Sequence, residues 1–189
     1  MNMSDRSITM HLHPNRAVLD VVNQAANLGN QAHQHSHQGD YAGAELLHLR
    51  GLDLKISVVG ENDTTTAITR NALGELYLKM GRIADAEEQL KKAVSIRLSV
   101  GPTYDAAVSI ENLGQVYEAK GDFAEARRVR LSHPENIMVC GNFNCPSTTF
   151  DQSQLSACSA CKSVFYCGAV CQAKDWRVRH KKFCKKRNQ

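Results

Sequence analysis

The stretch "NALGELYLKMGRIADAEEQLKKAVSIR", residues 71–97, reads as two helices folded back on each other around Gly81. Gly74 and Ala86 lie twelve residues apart, one on each side of that glycine. In a helix–turn–helix hairpin, small residues so placed let two antiparallel helices approach closely. Tyr77, three residues after Gly74, fills the space beside them, and Gly81 ends the first helix. The charged run "EEQLKK" supplies a solvated face with i,i+4 pairing.

The same pattern recurs on both sides. "NQAHQHSHQGDYAGAELLHL" and "NLGQVYEAKGDFAEARRVRL" align with "ALGELYLKMGRIADAEEQLK", and their glycines Gly39, Gly81 and Gly121 are 42 and 40 residues apart. Each glycine is followed by an alanine three positions on, Ala42, Ala84 or Ala124. The twelve-residue spacing of small residues returns in Ala32/Ala44 and Gly114/Ala126, and Tyr117 stands where Tyr77 does. "DTTTA" and "GPTYDAA" offer Asp/Thr caps and a proline ahead of the next helices.

With Leu73, Gly74, Tyr77, Gly81, Ala86, Leu90 and Ala93 at the motif places, the chain resembles the tetratricopeptide repeat family in its long, kinesin-light-chain-like form. The resemblance covers about residues 24–132 and implies an all-α helical-repeat array. The first repeat has His35 at the aromatic place and Gly51 at a small helix-former's place, and the third loses its second helix early at "LSHPE". Roughly two and a half repeats result, near the minimum that buries its own faces. The resemblance places Arg70, Asn71 and Asn112 on first helices, where related arrays carry groove residues. Of His33, His35 and His37, only the first and last share a helical face, and no third ligand accompanies them. They read as a polar helix surface.

Composition divides the 189-residue chain. Residues 1–139 hold 14 Lys+Arg against 17 Asp+Glu, a net of −3, whereas residues 140–189 hold 9 against 2, a net of +7. All seven cysteines fall in the second segment. No apolar run approaches the ~20 residues of a membrane span. The start "MNMSDRSITMHLHPNR" lacks the basic and apolar regions of a secretory signal. A reducing intracellular setting, cytoplasm or nucleus, is the expectation, and disulfides are rare there.

From residue 140 on, the ligand-type residues are Cys140, Cys145, Cys158, Cys161, Cys167, Cys171, His180 and Cys184, with four, twelve, two, five, three, eight and three residues between them. Short gaps let one turn present two sulfurs to one ion, and eight ligands complete two tetrahedral zinc sites with none left over. Seven thiols cannot pair off internally as disulfides. A thioredoxin-like redox site needs a strand–helix alternation that is missing around Cys158 and Cys161. The segment also has few large apolar side chains, Phe143, Phe150, Phe165, Tyr166, Trp176 and Phe183. Two structural zinc ions replace the core it lacks, and without metal it is expected to unfold.

Histidine stands seventh among the eight, and with the side residues of "CSACKSVFYCGAVCQAKDWRVRHKKFC" this resembles the MYND zinc finger over about 140–184. The opening pair "CGNFNC" is wider than the family's usual CxxC. The resemblance implies interleaved sites, one zinc on Cys140, Cys145, Cys167 and Cys171 and the other on Cys158, Cys161, His180 and Cys184. It also implies a module that binds proline-containing segments of the Pro-x-Leu-x-Pro type on partner proteins, through Ser159, Gln172 and Trp176. An indole offers proline a flat apolar surface, a Gln amide bonds peptide backbone, and a strand near Ser163–Tyr166 would accept an added strand.

The expected organisation is a leading segment at 1–23, repeats at 24–132, a linker at 133–139, the finger at 140–184, with little regular structure, and a basic tail at 185–189. The function expected is that of a zinc-binding protein–protein adaptor, not an enzyme. The alternative is a basic finger with a nucleic-acid-associated, transcriptional role, suggested by "HKKFCKKRNQ" but lacking interleaved aromatics and a recognition helix. Neither a methyl-donor pocket nor an open zinc position is evident.

Overall fold

The computed structural model describes residues 14–100 and 103–184. The first residues of the leading segment, Gly101 and Pro102 of the expected cap, and the basic tail lie outside the described residues. Six helices form three hairpins: α1 (Pro14–His37) with α2 (Tyr41–Val59), α3 (Thr64–Met80) with α4 (Ile83–Val100), and α5 (Thr103–Lys120) with α6 (Phe123–Arg130). Helices α2 and α4 stack on the next hairpin's first helix, so the array is continuous.

Local chemistry sets the turns. Gly39, Gly81 and Gly121 adopt φ of 84°, 74° and 77°, the left-handed region that favours glycine. Asp40, Asp63 and Asp122 each cap the following helix, accepting from the backbone N–H of Gly43, Thr65 and Glu125 respectively. Ala32, Ala44, Ala86 and Ala126 are fully buried. At Gly74 the packing is tight enough that a Cβ would meet Leu90 Cγ at 2.4 Å. The spacing of small residues therefore does what the hairpin reading requires of it.

Between hairpins the structure adds links that recur at equivalent positions. The Tyr77 hydroxyl donates to Glu45 of the preceding hairpin at 2.9 Å, and Tyr117 donates to Glu87 in the same way at 2.9 Å. Lys55, sixteen residues beyond its turn glycine, donates to Thr69 Oγ1 and the Thr65 carbonyl; Arg97, at the same offset, donates to Ser109 Oγ and the Asp105 carbonyl. The tyrosines thus tie one repeat to the next in addition to filling space. The main core joins Leu52, Leu73, Tyr77, Leu90, Ile110, Leu113, Val116 and Val129.

Asn71 and Asn112 are buried and bond one another across α3 and α5. Asn71 Oδ1 accepts from Asn112 Nδ2 at 3.2 Å and from Ser109 Oγ at 2.8 Å, and both side-chain amides donate to Glu75 at 2.7 Å. Arg70, also buried, donates to Gln89. These residues join neighbouring helices, and Asn112 also lines a cavity with Glu75, Glu111 and Cys140 between α5 and the cysteine-rich region. His35 pairs with Asp40 at 2.7 Å, His33 stacks edge-on against His48, and among the described residues no metal-ligand group forms around residues 33–37.

The rest is small and loop-rich. Strand β1 (Ile137–Met138) pairs antiparallel with β2 (Phe150–Asp151), and β3 (Ser156–Ala157) pairs with β4 (Phe165–Tyr166). Helix α7 (Ala169–Val178) and a 3-10 turn at His180–Lys182 complete it. Helix α6 has only eight residues, against nineteen in α2 and eighteen in α4. Past its end the cysteine-rich region packs on the array. Met138, Leu155 and Phe165 cluster with Leu131, and Arg127 lies over the Phe165 ring at 5.2 Å.

Candidate metal centre

Two ligand tetrads form: Cys140, Cys145, Cys167 and Cys171, and Cys158, Cys161, His180 and Cys184. In each, all ligand atoms lie within 4.8 Å of one another. The edges test the fit. Tetrahedral zinc with Zn–S near 2.3 Å requires sulfurs about 3.8 Å apart, and a sulfur and an imidazole nitrogen about 3.5 Å apart. Cys145 and Cys167 are 3.7 Å apart, Cys158 and Cys184 3.8 Å, and Cys167 and Cys171 3.5 Å. Cys161 Sγ and His180 Nε2 are 3.5 Å apart. All seven cysteines are free thiols at metal spacing, and the donor set of the finger fits two zinc ions.

The backbone explains how distant ligands meet. A turn closed by the Lys162 N–H on the Cys158 carbonyl presents Cys158 and Cys161 together, with Lys162 at φ 61°. Cys167 and Cys171 sit just before and inside the first turn of α7. The wider opening loop is accommodated by a turn in which the Cys145 N–H donates to the Asn142 carbonyl. Between the tetrads lie Val164 and Tyr166, both buried.

The thiols are tuned by their surroundings. Burial, followed by neighbouring cysteines, raises Cys184 to about 12 and, against an opposing hydrogen bond with Cys140, Cys167 to about 11. Burial also opposes ionisation of Cys161, but His180, the Ser163 hydroxyl and two backbone N–H groups bring it down to about 6. Cys171 is lowered against burial by Asn142, whose amide donates to its sulfur at 3.3 Å. Crowded thiolates that raise one another are what a dication relieves, so metal uptake displaces protons here. These nearby donors lead the stabilising influences on the Cys161 and Cys171 thiolates.

One group of residues was not found from sequence. Glu118 of α5 is completely buried, and its carboxylate accepts from His180 Nδ1 at 2.9 Å, Arg130 Nη2 at 2.6 Å and Arg179 Nη1 at 2.9 Å. Arg130, buried at the end of α6, also grips Glu111 through two bonds of 2.7 and 2.9 Å and donates to the Ser163 carbonyl. Arg179 bonds Asp175, which accepts from the Tyr166 hydroxyl at 2.7 Å. Burial opposes the Glu118 charge, yet Arg130, His180 and Arg179 hold its carboxyl down to about 2. A signal was present: Arg130 occupies the place of Leu90, nine residues past the turn glycine, where a repeat wants an apolar side chain.

Gln172 and Trp176 stand one turn apart on α7, and Ser159 is exposed in the Cys158–Cys161 turn. Trp176 is half-buried, its ring edge-on to His180 at 5.9 Å, so part of the indole packs on the metal core. An added strand at Ser163–Tyr166 is not available. The carbonyls of Lys162, Ser163, Val164 and Phe165 are taken by Arg127, Arg130, Cys158 and Gly141. The segment lies against the repeats, a placement invisible to local sequence.

Comparison with known proteins agrees with this architecture. Residues 23–99 and 111–130 match the tetratricopeptide repeat family, and residues 138–184 match the MYND finger. The chain carries tetratricopeptide repeats followed by a MYND zinc finger, two kinds of protein-interaction module. An F-box protein of Arabidopsis thaliana is 29% identical over 79 residues, covering 42% of this chain and 23% of that protein. Ubiquitin carboxyl-terminal hydrolase 19 of the same plant is 40% identical over 53 residues, 28% of this chain and 8% of that protein. A second F-box protein is 34% identical over 50 residues, 26% of this chain and 13% of its own length. The chain spans less than a quarter of each of these relatives. Among the described residues, no helix is long and apolar enough to cross a membrane.

Proposed function

We propose that this chain is an adaptor whose zinc-loaded finger captures short proline-containing segments of other proteins, held by the helical array as a scaffold. One zinc is assigned to Cys140, Cys145, Cys167 and Cys171, the other to Cys158, Cys161, His180 and Cys184. The observation that carries this reading is the closure of both tetrads: each groups four ligand residues, the number that fills a structural site and leaves no position for substrate. A finger so built recognises instead of catalysing. We assign the array to 24–132, the connection to 133–139 and the finger to 140–184. The seven free thiols suit a reducing compartment.

Peptide contact is assigned to Gln172 and Trp176, which share a face of α7, and to Ser159. The half-exposed indole offers proline its free edge while its other side is braced on His180. Since the strand edge at 163–166 is occupied, the peptide is read by side chains. The test is calorimetric titration of the zinc-loaded, full-length chain with a Pro-x-Leu-x-Pro peptide, a readout that survives substitution of Trp176, the chain's one tryptophan. Saturable binding that falls at least tenfold in Trp176→Ala is expected. A folded, two-zinc protein that binds no such peptide sinks the assignment.

A further inference from the structure

We propose that the last repeat is a working part of the metal centre: Glu118 of α5 is a positioning residue that orients His180 for the second zinc. The inference rests on the zinc assignment above and extends it across the boundary between the two modules. The ring of His180 is divided between two partners. Nε2 faces Cys161 Sγ at 3.5 Å, inside the tetrad, while Nδ1 faces Glu118 Oε1 at 2.9 Å. A carboxylate at Nδ1 keeps the proton there, turns the Nε2 lone pair to the metal and strengthens the imidazole as a ligand. Here that carboxylate comes from a residue 62 positions earlier, in the helical array.

A carboxylate at the place of Glu118 is not part of the repeat pattern. At its place, three residues before the turn glycine, the other hairpins have Ser36 and Leu78. Arg130 is the companion departure, standing where the other hairpins have His48 and Leu90. Both exchanges bring charge into a repeat interior, and both converge on the finger. Arg130 and Arg179 bond the same Glu118 oxygen, leaving the other oxygen for His180. Among the described residues, the third hairpin hydrogen-bonds a ligand of this zinc site and none of the other.

The experiment measures zinc affinity at the two sites of the full-length chain by chelator competition. Cobalt substitution distinguishes them, since a site of four sulfurs and a site of three sulfurs and one nitrogen differ in their absorption bands. Glu118→Gln is expected to weaken the Cys158/Cys161/His180/Cys184 site by roughly 10–100-fold, leaving the other site and the helical circular dichroism unchanged. Glu111→Gln removes a carboxylate from the same buried cluster without touching His180, and is expected to leave the ratio of the two affinities as in wild type. Equal loss at both sites in Glu118→Gln, or the same selective loss in Glu111→Gln, overturns the proposal in favour of a purely structural staple. Should Glu118→Gln not fold, nitrogen NMR of the zinc-loaded wild type decides. A slowly exchanging Nδ1 proton on His180 supports the positioning role, and coordination through Nδ1 overturns it. A wild-type chain that takes up no zinc refutes the metal assignment itself, a separate outcome.

Discussion

Leu90 and Arg130 occupy the same place in successive hairpins, and each is fully buried against a glycine of the preceding helix, Gly74 or Gly114. Leu90 belongs to the apolar core and needs only close-packed neighbours. Arg130 brings a charge into the same space and requires Glu111, Glu118 and the Ser163 carbonyl to satisfy it. The second hairpin is thus finished by its own repeat, and the third by the finger. One position, filled two ways, separates a unit that stacks from a unit that joins a different kind of module.

The sharpest way to break this contrast is to remove metal. Zinc contributes on the order of 10–16 kcal/mol of apparent folding free energy per site, far beyond what the finger's few apolar side chains replace. Chelation under reducing conditions is expected to abolish the chemical-shift dispersion of residues 140–184 in amide NMR. Helices α1–α4 should keep theirs, while α5 and α6, which share buried charges with the finger, broaden. A finger that stays ordered without metal contradicts the account.

Next in size is Arg130→Leu, which makes the third hairpin imitate the second. It leaves Glu111 without its guanidinium partner and Glu118 relying on Arg179 and His180, and breaking a buried ion pair costs about 3–5 kcal/mol. Urea denaturation should show that loss together with easier proteolysis at the junction. A stability equal to wild type would mean that shape alone governs this position. The reverse probe, Leu90→Ala, opens a cavity beside Gly74 and is expected to cost about 2–5 kcal/mol in the array. Because it lies away from the zinc sites, metal stoichiometry measured by mass spectrometry should remain two per chain.

The smallest effect concerns the first hairpin, where His48 stands in the same position, nine residues past Gly39 and edge-on to His33. Burial, with help from His33 and Lys55, holds its imidazole down to about 4 from the usual 6.5. The folded chain therefore refuses a proton that the unfolded chain accepts. Stability should fall as pH drops from about 6.5 towards 4, by on the order of 1–2 kcal/mol. His48→Leu should flatten that part of the pH–stability curve and add about 1 kcal/mol at pH 7, since burying an apolar group replaces a polar atom without a partner. Parallel urea melts at pH 7 and 5 read both. An unchanged slope would place the proton elsewhere.

Much of this is legible in local spacing. Turn glycines 42 and 40 residues apart, and small residues twelve apart, encode close helix pairs because helix geometry turns fixed sequence offsets into fixed contacts. Eight soft ligands in short-gapped pairs likewise announce tetrahedral metal sites, since coordination chemistry demands a count and a reach more than a fold. Asn71 and Asn112 show the limit: they stand on the expected helices, but nothing in their spacing reveals that their side chains bond each other across α3 and α5. The strand edge at 163–166 shows it again, since nothing nearby in the chain reveals that Arg130 already holds the Ser163 carbonyl and Arg127 that of the preceding Lys162.

By itself, then, the amino-acid order determined three hairpins, a metal-built terminal module and the side chains that would bind its ions. Tertiary structure alone decided that these parts are not beads on a string. Glu118 meets His180, and Arg130 meets Ser163, across separations of 62 and 33 residues that no periodicity predicts. Such meetings depend on how α6 ends and how the finger folds back over it. Buried charge tolerates only that one arrangement, because each ion inside the protein requires its partner at hydrogen-bond distance.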